Sequence, residues 1–141
     1  MRMLACLVAA SSLLAAAPAL AEVIKFTTKL DGASETPPND SKGAGEAKVI
    51  LDTDKHTVSW AVTYSGLTGP ATMAHLHGPA GPGKAAPVTI PLAAPLASPI
   101  KGSAAISDTQ IGDLKAGMWY VNVHTAAHPA GEIRGQLVAP H

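Results

Sequence analysis

Six histidines lie in this chain of 141 residues, and four of them fall into two tight groups. His75 and His77 stand in Thr72-Met73-Ala74-His75-Leu76-His77-Gly78, and His124 and His128 stand in Val123-His124-Thr125-Ala126-Ala127-His128-Pro129. Imidazole binds copper and zinc through a neutral ring nitrogen, the form present near neutral pH. On a β-strand, residues i and i+2 share a face. A His-x-His pair is therefore a rigid two-ligand clamp, and a third imidazole from a distant strand makes binding depend on the fold. Cys6 is the only cysteine, so a site in the rest of the chain would be nitrogen-rich. Such a donor set suits copper(II) or zinc, with Met73 available as a softer donor for copper(I). His75, His77, His124 and His128 are the candidate metal ligands. His56 and His141 receive no role.

A plainer reading stands beside this one. A strand-end histidine often bonds to a loop carbonyl and does nothing more, and a single His-x-His pair is weak support for a metal. Two histidine groups in one short domain, each beside Gly and Pro, strengthen the metal reading. Other chemistry is thinner. Glu132, Arg134 and Gln136 alternate in Gly131-Glu132-Ile133-Arg134-Gly135-Gln136-Leu137. Glu132 and Arg134 could orient a ligand histidine by a hydrogen bond, or form an ordinary cross-strand ion pair. No Gly-x-Ser-x-Gly elbow supports a hydrolase. The glycines of Gly78-Pro79-Ala80-Gly81-Pro82-Gly83 precede no credible helix, so they read as a rigid turn and not as a phosphate loop.

The elements that must carry these residues are mostly strands. Val23 to Leu30, Ala44 to Leu51, Thr57 to Tyr64, Ala71 to His77, Ile100 to Ile106, Met118 to His124 and Gly131 to Val138 each have strand composition bounded by turn residues. Val88 to Leu92 reads as a short edge strand within the proline-rich stretch Ala80 to Pro99. Asp52-Thr53-Asp54-Lys55 predicts a tight turn and an antiparallel hairpin around it. Ser107 and Gln110 form a capping-box pattern, and Gly117 stands where a helix C-cap belongs, which predicts one short helix. The expected fold is all-β: an antiparallel β-sandwich of Greek-key, immunoglobulin-like type with seven or eight strands. In it, His75, His77 and Met73 share one face, with Leu76 opposite. Tyr120, Asn122 and His124 share another, with Val121 and Val123 opposite. If the two strand ends converge, three imidazoles meet at one rim, and His128 could close the set.

Residues 1–21 read as a secretory signal. Arg2 gives the positive start, Leu4 to Leu14 the apolar run, and Ala19-Leu20-Ala21 the small-x-small cleavage pattern. The run is too short for a span, which needs about 20 apolar residues. Residues 22–141 then form a single exported domain, secreted or periplasmic, with no cysteine and no transmembrane segment. Acidic and basic residues balance, with ten of each, and no basic stripe appears, so nucleic acid is not an expected partner.

Several motifs are familiar: Leu30-Asp31-Gly32-Ala33-Ser34-Glu35-Thr36-Pro37-Pro38, Tyr64-Ser65-Gly66-Leu67, Ala74-His75-Leu76-His77-Gly78-Pro79-Ala80, and the run from Trp119-Tyr120-Val121-Asn122-Val123-His124-Thr125 through Gly131-Glu132-Ile133-Arg134-Gly135-Gln136-Leu137. Over about Lys25 to Leu137 the chain resembles the chordin-domain (CHRD) family, in particular its bacterial secreted members. The family's His-x-His-Gly falls on His75, His77 and Gly78, and its Asn-x-His-Thr on Asn122, His124 and Thr125. The resemblance implies an extracytoplasmic β domain and fixes no activity. More loosely, the arrangement is similar to copper/zinc superoxide dismutases, whose copper site also pairs a His-x-His strand with a later histidine. Their bridging histidine, aspartate-bearing zinc site and disulfide have no counterpart here. Three readings follow, in order of support: a copper-favoured binding module (zinc the alternative), a structural or adhesive domain that binds another extracytoplasmic protein without metal, and a dismutase-like copper enzyme.

Overall fold

The computed structural model describes residues 20–140. The expected signal segment lies almost wholly outside them. Eight strands and one helix follow in order: β1 (Val23–Asp31), β2 (Ala44–Asp52), β3 (Thr57–Ser65), β4 (Ala71–His77), β5 (Val88–Pro91), β6 (Ile100–Ala105), α1 (Asp108–Lys115), β7 (Trp119–Thr125) and β8 (Ile133–Leu137). The all-β class, the strand number and the single helix are as the sequence predicts.

All pairings are antiparallel, in the order β5-β4-β7-β8-β1-β2-β3-β6. The ladder is one nearly closed sheet, but its middle is thin. β1 and β8 pair only through Asp31 and Arg134, so the sheet divides into two four-stranded halves. Their inward faces make the core. From β1, β2 and β3 come Phe26, Leu30, Val49, Leu51, Val58, Trp60 and Val62; from β4, β7 and β8 come Leu76, Trp119, Val121, Val123, Ile133 and Leu137. Every second residue points inward, as the pleat requires.

The local signals behave as their chemistry dictates. The Asp52 carboxylate accepts from the Lys55 N–H at 3.0 Å and sets the turn between β2 and β3. Helix α1 starts at a capping box: the Gln110 N–H donates to Ser107 Oγ and the Ser107 N–H to the Gln110 side chain. It stops at Gly117, whose φ of +75° is the left-handed conformation that glycine adopts without strain. No helix among the described residues is long and apolar enough to cross a membrane.

Candidate metal centre

β4 and β7 are neighbours, and their register decides what meets. Met73 stands opposite His124, His75 opposite Asn122 and His77 opposite Tyr120. Ala74 and Leu76 point into the core, so Met73, His75 and His77 point outward; Val121 and Val123 point inward, so Tyr120, Asn122 and His124 point outward. Pairing thus brings three imidazoles side by side on the outer surface of one sheet half. They meet across a strand pair rather than at a rim. Next along, Asn122 stands opposite Arg134 and Tyr120 opposite Gln136 on β8.

Ring centroids are 4.8 Å apart for His75 and His124, 5.3 Å for His75 and His77, and 6.4 Å for His77 and His124. One ring nitrogen from each lies within 4.8 Å of the other two. His75 Nδ1 is 3.0 Å from His124 Nε2. Metal–nitrogen bonds of about 2.0–2.1 Å can be satisfied from such spacing with small side-chain movements. His128 is not in this group. It follows β7 in the loop, where its backbone N–H closes a turn onto Thr125. Met73 shares the ligand face and is 45 % exposed.

Two of the rings are fixed from behind. His77 Nδ1 is 2.9 Å from the Ala86 carbonyl oxygen, and His124 Nδ1 is 2.9 Å from that of Pro129. A carbonyl only accepts, so both Nδ1 atoms carry a hydrogen, and in the neutral ring Nε2 is the nitrogen that offers a lone pair. Metal-ligating histidines are commonly oriented this way. Two of the rings, His75 and His124, resist protonation. Burial, then the neighbouring His124 and His77, pulls His75 down to about 4. Burial lowers His124 too, partly countered by its bond to Pro129. His77 and His124 are buried and His75 is half-buried, so the cluster opens to solvent on the His75 side.

The surrounding polar groups form two separate networks. In the first, Tyr120 stacks on His77, 4.7 Å between centroids and nearly parallel, and the Arg134 guanidinium lies 3.5 Å over the other face of Tyr120. The Ala86 N–H donates to the Tyr120 hydroxyl while the Ala86 carbonyl receives His77. Arg134 itself donates to Thr36 Oγ1, the Gly81 carbonyl and Gln136. The second is centred on Glu132, which is fully buried. It accepts from Ser41 Oγ, the Thr68 N–H and hydroxyl, and Thr125 Oγ1, joining three loops. Burial alone would raise its pKa, but the Ser41 and Thr125 hydroxyls and the two Thr68 donors hold it down to about 2. Both sequence expectations for this pair are corrected. Glu132 and Arg134 form no ion pair, and neither hydrogen-bonds to a histidine. Glu132 precedes β8 and turns toward hydroxyls, while Arg134 reaches His77 only through the Tyr120 ring.

Glu35 was not singled out by sequence. It lies in the loop between β1 and β2, 5 % exposed, and its Oε1 has no hydrogen-bond partner. Burial pushes it up to about 7, against the lowering effects of the Thr36 N–H, Arg134 and the Asn122 amide. Gly131 (φ +129°) packs against it, and a Cβ there would collide with the Glu35 carboxyl and the Asn122 amide. The available signal was an acid inside the conspicuous Gly-Ala-Ser-Glu-Thr-Pro-Pro loop.

A family model of the CHRD domain matches residues 26–137. No curated protein and no solved structure gives a significant match. The match runs from within β1 through β8 and takes in the histidine cluster and both polar networks. The chain belongs to the CHRD domain family.

Proposed function

We propose that this CHRD domain is an exported metal-binding module that takes one copper ion at His75, His77 and His124. The observation that carries the reading is the convergence of three imidazoles, one nitrogen from each within 4.8 Å of the others. Two of them are held at Nδ1 by main-chain carbonyls, which leaves Nε2 as the ligand nitrogen. Three nitrogens without a thiol favour copper over zinc, since copper(II) stands above zinc(II) in affinity for nitrogen donors. Arg2, the apolar run Leu4 to Leu14 and Ala19-Leu20-Ala21 support export to a secreted or periplasmic location.

The test is a copper(II) and zinc(II) titration of the protein beside a His75→Ala/His77→Ala double variant. Saturable one-to-one copper uptake that disappears in the variant is the expected result. Uptake that is absent, or unchanged in the variant, contradicts the proposal.

A second reading has its own observation. The bonds from His77 to Ala86 and from His124 to Pro129 also brace the loops that cover the sheet. If bracing were their only role, the double variant would lower the melting temperature without any change in metal content. The domain would then serve as an interaction module for another extracytoplasmic protein.

A further inference from the structure

Hydrogen-bond arithmetic at the cluster points to a fourth donor. In their neutral, metal-binding form the Nε2 atoms of His77 and His124 both carry lone pairs, because their Nδ1 hydrogens are donated to Ala86 and Pro129. Asn122 Oδ1 is 3.0 Å from each of these Nε2 atoms. It too can only accept. The Asn122 amide nitrogen faces away, on the side of Gly131 and the Glu35 carboxyl, which places the oxygen on the histidine side. Three electron-pair acceptors therefore face one another. His75 Nδ1, 3.0 Å from His124 Nε2, can bring them one hydrogen at most. Asn122 is 2 % exposed, so water does not relieve the crowding. Clustered acceptors without donors are costly when buried. A divalent cation satisfies all of them at once.

The spacing fits as well. Two donors about 2.0–2.1 Å from one ion and about a right angle apart lie about 2.9 Å from each other. Asn122 Oδ1 stands at that kind of distance from both histidines. We infer that Asn122 Oδ1 is the fourth, oxygen donor of the metal centre, with Glu35 as the positioning residue that holds the amide in its ligating orientation. This rests on the metal reading above and adds to it. The site becomes three nitrogens and one neutral oxygen, all from β4 and β7. Such a set suits copper(II) in a tetragonal arrangement. The neutral amide leaves the full positive charge of the ion on the site.

The experiment compares copper(II) affinity and the copper(II) electron paramagnetic resonance spectrum of the unsubstituted protein with Asn122→Asp, Asn122→Ala and Glu35→Leu. Asn122→Asp is nearly isosteric, keeps an oxygen in place and adds a charge. It should tighten copper binding by about tenfold or more and shift the parallel g value. Asn122→Ala should weaken binding by about 10–100-fold and change the same spectral parameters, and Glu35→Leu should weaken it by less. Spectra that superimpose across all four proteins, with unchanged affinities, overturn the fourth donor while leaving the three histidines as ligands. No copper on the unsubstituted protein overturns the metal reading and this inference together.

Discussion

The two halves of the sheet treat their outer faces differently. In β1, β2 and β3, buried residues alternate with exposed or half-buried ones, and the outward side chains are Lys25, Thr27, Lys48 and Thr63 among others. This is the ordinary pattern of an antiparallel sheet with one wet side. In β7 every residue is buried, polar and apolar alike, and in β8 all but Gln136. The inner side of this half packs Trp119, Val121, Val123 and Ile133, while the outer side buries Tyr120, Asn122, His124 and Arg134 under loops. Burying polar groups has a free-energy cost that a plain structural sheet has no reason to bear. The same fold therefore separates its tasks. One half alternates plainly, and the other carries a buried, hydrogen-bonded polar layer that includes the three imidazoles.

Substitutions on each side should break different properties. The largest effect expected is on metal uptake. His77→Ala combined with His124→Ala should abolish one-to-one copper binding, measured by metal analysis after desalting. On the other half, Leu51→Ala removes a fully buried side chain and should cost about 2–5 kcal/mol in denaturant unfolding. Below its melting temperature that variant should still hold one copper. Loss of copper from a folded Leu51→Ala protein would show that the halves are not separable.

The two buried carboxylates sharpen the comparison, because their surroundings are opposite. Glu132, held down to about 2 from 4.5, contributes stability that is present above about pH 4.5 and is lost as pH falls toward 2. Glu35, raised to about 7 from 4.5, binds its proton more tightly folded than unfolded. The contribution of Glu35 to metal-free stability should therefore fall as pH rises from 4.5 to 7, while the lowered His75 and His124 add stability as pH rises toward 6.5. Urea unfolding across pH should show the difference between the unsubstituted protein and Glu132→Gln changing below pH 4.5, and that for Glu35→Gln changing between pH 4.5 and 7. A Glu35→Gln profile that matches the unsubstituted protein between pH 4.5 and 7 would contradict the assignment.

The smallest effect should come from His56, in the turn after β2. Its Nε2 is 2.7 Å from the Asp108 carboxylate at the start of α1, which raises its pKa. Both groups are well exposed, and exposed pairs contribute little. Their contribution is fully present below pH 6.5 and is lost as pH rises through the raised value. Asp108→Asn should lower the melting temperature slightly at pH 5 and not at pH 9.

Much of this was legible in the sequence. Period-two alternation located the strands, and the Ser107 and Gln110 signals located α1, because these are local rules that survive packing. The facing of His75, His77 and His124 also followed from alternation. Sequence spacing could not show that β4 and β7 are hydrogen-bonded neighbours. That pairing depends on how the chain crosses between halves, and it sets the distances at the cluster. Glu132 and Arg134 were misassigned for a related reason. Their partners, Ser41, Thr68 and Thr36, come from loops distant in sequence, and alternation says nothing about what a loop lays over a strand. Glu35 went unassigned because an acid in a Pro-rich loop is ordinarily solvated, and only the closure of the loop over Asn122 buries it.

The most direct test of the central claim is anomalous X-ray diffraction at the copper edge from crystals of the copper-loaded protein. The account predicts one strong anomalous peak per chain, bonded to His75, His77 and His124 on the outer face of β4 and β7. Copper found only elsewhere, at His56, His128 or His141, would contradict it, as would a copper-soaked crystal with no peak at the three rings.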